Sequence, residues 1–156
     1  MLTQLEPAAV NAGTTVQNAP RDRRRRSDGP RVILLYTRDR SFDQLVADAL
    51  LGSSALVLIA RSIGDAIQIA CRRGRELDLA VLDFDDGCRG MTLLSAVHTC
   101  YEQLPVLIIT SGDEEHVHAV AAANGARACL EKPIPPERLG RAIATLSSTR
   151  AELIAA

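Results

Sequence analysis

Asp78-Leu79-Ala80-Val81-Leu82-Asp83 is the part of the sequence that says most about the chain's architecture. Four consecutive apolar residues with no polar alternation, closed on each side by a carboxylate, have the pattern of a parallel strand covered on both faces. Working outward, Val32–Tyr36, Ala55–Ala60, Val106–Ile109 and Ala128–Leu130 are runs of the same kind. Helical spacing fills the gaps between them. Phe42, Leu45, Val46, Ala49 and Leu50 recur behind Ser41, an N-cap residue type, and Gly52 stands where that helix should stop. Ser62 opens a second helix through Ile63, Ala66, Ile67 and Ala70 to Gly74. Met91–Tyr101, Asp113–Asn124 and Pro136–Leu146 read as the remaining three.

Five strands alternating with five helices imply a doubly wound α/β domain with right-handed crossovers and helices on both faces of a parallel sheet. A chain of 156 residues, 47% hydrophobic, buries one such core and leaves no room for a second sizeable domain. The domain is expected over 31–150, with a C-terminal tail at 151–156. Residues 1–30 lack apolar periodicity and read as a disordered arm carrying Arg23-Arg24-Arg25-Arg26. No apolar run approaches the about 20 residues of a membrane span, and no secretory leader pattern opens the chain, so a cytoplasmic protein is expected. The cysteines at 71, 88, 100 and 129 form no C-x-x-C pair and read as free thiols.

Ligands of doubly wound sheets bind beyond the carboxyl ends of the strands. Those ends carry Thr37, Arg38 and Asp39; then Asp83, Asp85 and Asp86; then Thr110 and Ser111; then Lys132 and Pro133. A carboxylate, a hydroxyl and an ammonium are what phosphoryl transfer to aspartate requires: nucleophile, hydrogen-bond donor and compensating cation. Lys132 is the chain's one lysine among 18 basic residues.

Through Asp78-Leu-Ala-Val-Leu-Asp83, Pro105-Val-Leu-Ile-Ile-Thr110-Ser and Glu131-Lys132-Pro133, the sequence resembles the response-regulator receiver family over roughly residues 31–148. The resemblance implies a flavodoxin-like (βα)5 sheet with strand order 2-1-3-4-5. It makes Asp83 the phosphoacceptor, Thr110 the switch hydroxyl, Lys132 the phosphate-contacting lysine, and Pro133 the residue after a cis peptide bond.

The match departs at the metal site. Receivers place two adjacent acids after the first strand, where this chain has Thr37 and Arg38. Magnesium takes near-octahedral oxygen ligands, and Arg38 is not one. Two arrangements are open: Arg38 reaches Asp83 or Asp85 as an internal cation, or Asp39 swings inward and rebuilds a site with Asp83 and Asp85. The aromatic switch position holds Cys129, Ile134 follows the Lys-Pro pair, Gly87 replaces a common proline, and Gly90 lies one residue nearer Asp83 than is usual.

The expectation is an atypical, stand-alone receiver, a signalling and protein-interaction module of a two-component phosphorelay rather than an enzyme, with weak or no magnesium-dependent phosphorylation. Its partners are a histidine kinase or other signalling protein. The family's face of fourth helix, fifth strand and fifth helix, near His118, Ala122, Arg127 and Arg141, is a candidate surface for partners or a homodimer. One alternative is a phosphorylation-competent receiver accepting a phosphoryl group on Asp83. Another is a nucleic-acid-associated regulator using Arg21–Arg26, a weak signal without interleaved aromatics. His98, and the pair His116 and His118, receive no role.

Overall fold

The computed structural model describes residues 29–85, 88–112 and 115–155. The Arg21–Arg26 arm lies outside the described residues. Strands β1 (Arg31–Tyr36), β2 (Ala55–Ala60), β3 (Leu79–Asp83), β4 (Val106–Thr110) and β5 (Ala128–Glu131) alternate with helices α1 (Arg40–Ala49), α2 (Ile63–Arg73), α3 (Cys88–Cys100), α4 (Glu115–Ala123) and α5 (Pro136–Ala155). The strands form one parallel sheet in the order β2-β1-β3-β4-β5. Among the described residues, no helix is long and apolar enough to cross a membrane.

Strand parity sorts the core into two layers. Ile33, Leu35, Leu79, Val81, Leu107 and Ile109 pack with Phe42 and Val46 of α1 and Leu139 and Ile143 of α5. Leu34, Tyr36, Ala80, Leu82, Val106 and Ile108 pack with Ala66 and Ala70 of α2, Leu93 and Val97 of α3, and Ala121 of α4. Register then positions the site. Tyr36 pairs with Leu82, so one step onward Thr37 stands beside Asp83, both on the side of α1 and α5.

Three helix ends differ from the sequence expectation. Asp39, not Ser41, caps α1: its carboxylate accepts from Ser41 N, which places Ser41 inside the first turn. Helix α3 begins at Cys88 rather than Met91. Helix α5 continues past Leu146 to Ala155, taking in most of the segment expected to be a tail. Its Ser147 and Ser148 hydroxyls donate to the carbonyls of Ile143 and Ala144 at 2.6 and 2.8 Å, satisfying polar groups that otherwise favour leaving a helix.

Two close approaches depend on glycine. A Cβ on Gly140 of α5 would lie 2.6 Å from the Ala49 carbonyl oxygen of α1. A Cβ on Gly90 of α3 would lie 2.2 Å from the Phe84 ring.

Candidate functional site

Asp83 ends a strand buried along its whole length, and the residue is itself only 4% exposed. A carboxylate so placed must be hydrogen-bonded or lose its charge. Its Oδ2 accepts from the Thr37 hydroxyl at 2.8 Å. Lys132 Nζ lies 3.2 and 3.1 Å from Oδ1 and Oδ2, and the Asp85 backbone N–H donates to Oδ1 at 3.4 Å. Lys132 also bonds Asp85 Oδ2 at 2.5 Å and sits 5.0 Å from the centroid of the Phe42 ring. One ammonium thus holds two carboxylates over an aromatic face.

The Thr37 hydroxyl is fixed from both sides. It accepts from the Asp39 N–H at 3.0 Å while donating to Asp83. Its carbonyl accepts from Arg61 Nη1 at 3.2 Å, and the same guanidinium pairs with both carboxylate oxygens of Asp43 on α1. A planar fork suits such a three-way contact.

Burial pushes Asp83 above the usual carboxylate range, with the Thr37 and Lys132 hydrogen bonds pulling it partly back. Burial also acts to raise Asp85, but hydrogen bonds from Lys132 and Ser111 outweigh it and hold this carboxyl below the usual range. Lys132 loses solvation, yet bonds to Asp85 and Asp83 carry it above the ordinary lysine value. Of the trio, Asp83 is the member whose charge burial disfavours, while the hydrogen bonds around Asp85 and Lys132 favour theirs.

Arg38, Asp39, Asp83 and Asp85 line a depression of about 250 Å³ open to solvent. The cation bonding both Asp83 and Asp85 is Lys132, while Arg38 is exposed on the rim. Asp39 Oδ1 accepts from Ser41 N and Oγ at 2.8 and 2.7 Å, and these Ser41 bonds hold its carboxyl below the usual range. Among the described residues, no three His, Cys, Asp or Glu side chains lie close enough together to hold a metal. Of the acids named for a metal, Asp39 is turned to Ser41, and Asp83 and Asp85 to Lys132.

A family model for the response regulator receiver domain matches residues 32–144. The chain belongs to the response regulator receiver domain family. Among solved structures it is similar to a CheY-like receiver domain protein from Methanospirillum hungatei, with TM-score 0.71, 20% identity, and coverage of 80% of this chain and 99% of that one. A receiver domain protein from Clostridium thermocellum gives TM-score 0.71 at 22% identity, covering 79% and 98%. A response regulator from Thermotoga maritima gives 0.70 at 17%, covering 76% and 98%. At these identities the structural likeness speaks for the fold alone. No curated protein matches the chain in sequence.

In this receiver, Thr110 ends β4, 6% exposed, and its hydroxyl accepts from the Gly112 N–H at 3.4 Å. The Lys132–Pro133 peptide bond is cis. Cys129, half-buried on β5, packs against the core beneath α2 to α4, and burial raises its thiol pKa. Ile134 is buried in the opposite layer, against α1 and α5. The receiver also uses residues that strand-end reading did not single out: Arg61, which bonds the Thr37 carbonyl, its partner Asp43, and Phe42 beneath Lys132, while Ser111, named among the strand ends, bonds Asp85. Arg61 directly follows β2, so the rule that exposed Thr37 and Asp83 pointed to it as well. Thr37 was visible as a missing acid, but not as a donor to Asp83.

Proposed function

We propose that this receiver acts as a signalling and protein-interaction module in a two-component phosphorelay, with weak or no magnesium-dependent phosphorylation of Asp83. The observation that carries it is the Thr37 hydroxyl on Asp83 Oδ2. It occupies the first acidic position of the family pattern with a neutral donor. Lys132 supplies a fixed positive charge to the same carboxylate. A metal ordinarily relieves the repulsion between an anionic nucleophile and an incoming phosphoryl group; here that work would fall to one ammonium already shared with Asp85.

Partner docking is then the output, to a histidine kinase, another receiver or an effector, in a cytoplasmic setting. His118, Ala122, Arg127 and Arg141 are exposed, as is Val120 of α4 at 43%. This supports the face of α4, β5 and α5 as the docking or homodimer surface.

A phosphoacceptor role is the second reading, favoured by the opening of the Asp83 depression to solvent with Asp39 on its rim. Treatment with acetyl phosphate, with and without magnesium, read by intact mass on the wild type, Asp83→Asn and Arg38→Asp, separates the two. No wild-type adduct supports the interaction module, and an adduct gained by Arg38→Asp identifies Arg38 as the block. A magnesium-dependent wild-type adduct absent from Asp83→Asn overturns it in favour of the phosphoacceptor.

A further inference from the structure

The ends of α2 and α3 bring together two thiols that the Asp83 site does not use. Cys71 Sγ and Cys100 Sγ lie 3.8 Å apart although 29 residues separate them in sequence, and both residues are exposed. The helices that carry them are held together at this point. The Tyr101 ring lies against the Gly74 backbone, so closely that a Cβ there would be 2.0 Å from the ring. The Tyr101 hydroxyl donates to the Cys71 carbonyl at 3.4 Å. Because each helix runs back antiparallel to its preceding strand, the pair sits at the end of the sheet where strands begin, opposite Asp83.

We propose that Cys71 and Cys100 are a reversible redox pair, oxidised to an intramolecular disulfide by a peroxide. The Cys71 thiolate attacks a peroxide oxygen, the O–O bond breaks, and the departing hydroxide takes up a proton as water, leaving a sulfenic acid. Cys100 sulfur then attacks Cys71 sulfur, the S–O bond breaks, and the hydroxyl leaves with the Cys100 proton as a second water. Two thiols lose two electrons, and the peroxide is reduced to two waters. The sulfurs need only close from 3.8 Å to about 2.05 Å, a movement that side-chain rotation supplies on an exposed surface. The hydrogen bond with Cys71 keeps the Cys100 thiol above the usual range, which suits Cys100 to the second, resolving step. Exposed, reducible pairs of this kind are how cytosolic proteins sense redox state, whereas structural disulfides belong to oxidising compartments. Helix α3 begins at Cys88, shortly after Asp83, and ends at Cys100, so the bond would pin its far end to α2.

The test uses the full chain carrying Cys88→Ser and Cys129→Ser, so that Cys71 and Cys100 are the only thiols. Stoichiometric hydrogen peroxide is expected to remove both free thiols, lower the intact mass by two hydrogens, and yield a cross-linked Cys71–Cys100 peptide pair in the monomer, all reversed by dithiothreitol. Adding back Cys71→Ser or Cys100→Ser should abolish the mass loss. Thiols that persist, stop at sulfinic acid, or cross-link only between chains overturn the proposal. So does a bond that dithiothreitol does not reverse.

Discussion

The Thr37 hydroxyl donates a 2.8 Å hydrogen bond to Asp83 Oδ2 between two side chains shut away from solvent. Thr37→Val keeps the shape and removes the proton, leaving a buried carboxylate and the Asp39 N–H each short of a partner. A loss of about 1–2 kcal/mol in urea unfolding is expected. Thr37→Ser, which keeps the hydroxyl, should recover most of it. Equal stability of the valine and serine variants would show that the bond contributes nothing.

Lys132 holds Asp83 and Asp85 together. Lys132→Met leaves two neighbouring carboxylates without their cation, at a cost of about 2–4 kcal/mol. In an Asp83→Asn background the same substitution should cost at least about 1 kcal/mol less, because the buried charge it would strand is already gone. Additive losses in that double-mutant cycle would mean that Lys132 acts elsewhere.

The two carboxylates should titrate on opposite sides of the ordinary aspartate value of 3.8, Asp83 above it and Asp85 below. Between 3.8 and its folded value, Asp83 binds more proton folded than unfolded, so this group makes stability fall as pH rises through that window. Asp85 does the reverse: its contribution is complete above 3.8 and is lost as pH falls through its folded value. Asp83→Asn removes the unfavourable member. It should be more stable than the wild type at pH 7, by about 0.5–2 kcal/mol, and approach it below about pH 4. NMR titration of the side-chain carboxyl carbons gives the two pKa directions independently.

Arg61 connects the end of β2 to α1 and to the Thr37 carbonyl. Arg61→Lys preserves charge without the fork and should lose about 1 kcal/mol. Its backbone amides over residues 37–43 should also exchange hydrogen faster. Unchanged exchange there would detach the clamp from the site.

Gly90→Ala would drive a methyl group into the Phe84 ring. Overpacking of this kind costs about 1–3 kcal/mol, and Phe84→Leu in the same chain should restore part of it. Thermal unfolding of the single and double variants decides whether the ring is the obstacle.

The strands followed from apolar runs such as Leu79–Leu82, because a segment buried on both faces has little compositional freedom, whereas their order came from the family resemblance. Lys132, Thr110 and Asp83 followed from their positions at strand ends. Other features depend on geometry that composition does not carry. Asp39 and Ser41 are both N-cap residue types, and only the direction of their hydrogen bond assigns the cap to Asp39. Ser147-Ser148-Thr149 resembles a helix stop, yet these hydroxyls bond backward and α5 continues. Arg38 stands at the second of the two missing acids, but parity along β1 turns Thr37, not Arg38, toward Asp83. Counting 33, 35, 37 against 79, 81, 83 would have paired those two before any coordinates.

Gly140 resting on the Ala49 carbonyl has a mechanical side. With no side chain between them, α1 and α5 meet backbone to backbone at that point, and sliding either helix along the other would bring the Cβ of a residue one turn away, Pro136 or Ala144, toward the same oxygen. Shear is obstructed, so the pair should tilt as one lever. The free end of that lever carries Asp39 and Asp43, and through Arg61 it reaches Thr37. A partner bearing on the outer face of α5 would thus pull on the buried carboxylate from across the domain, with no chemical group transferred.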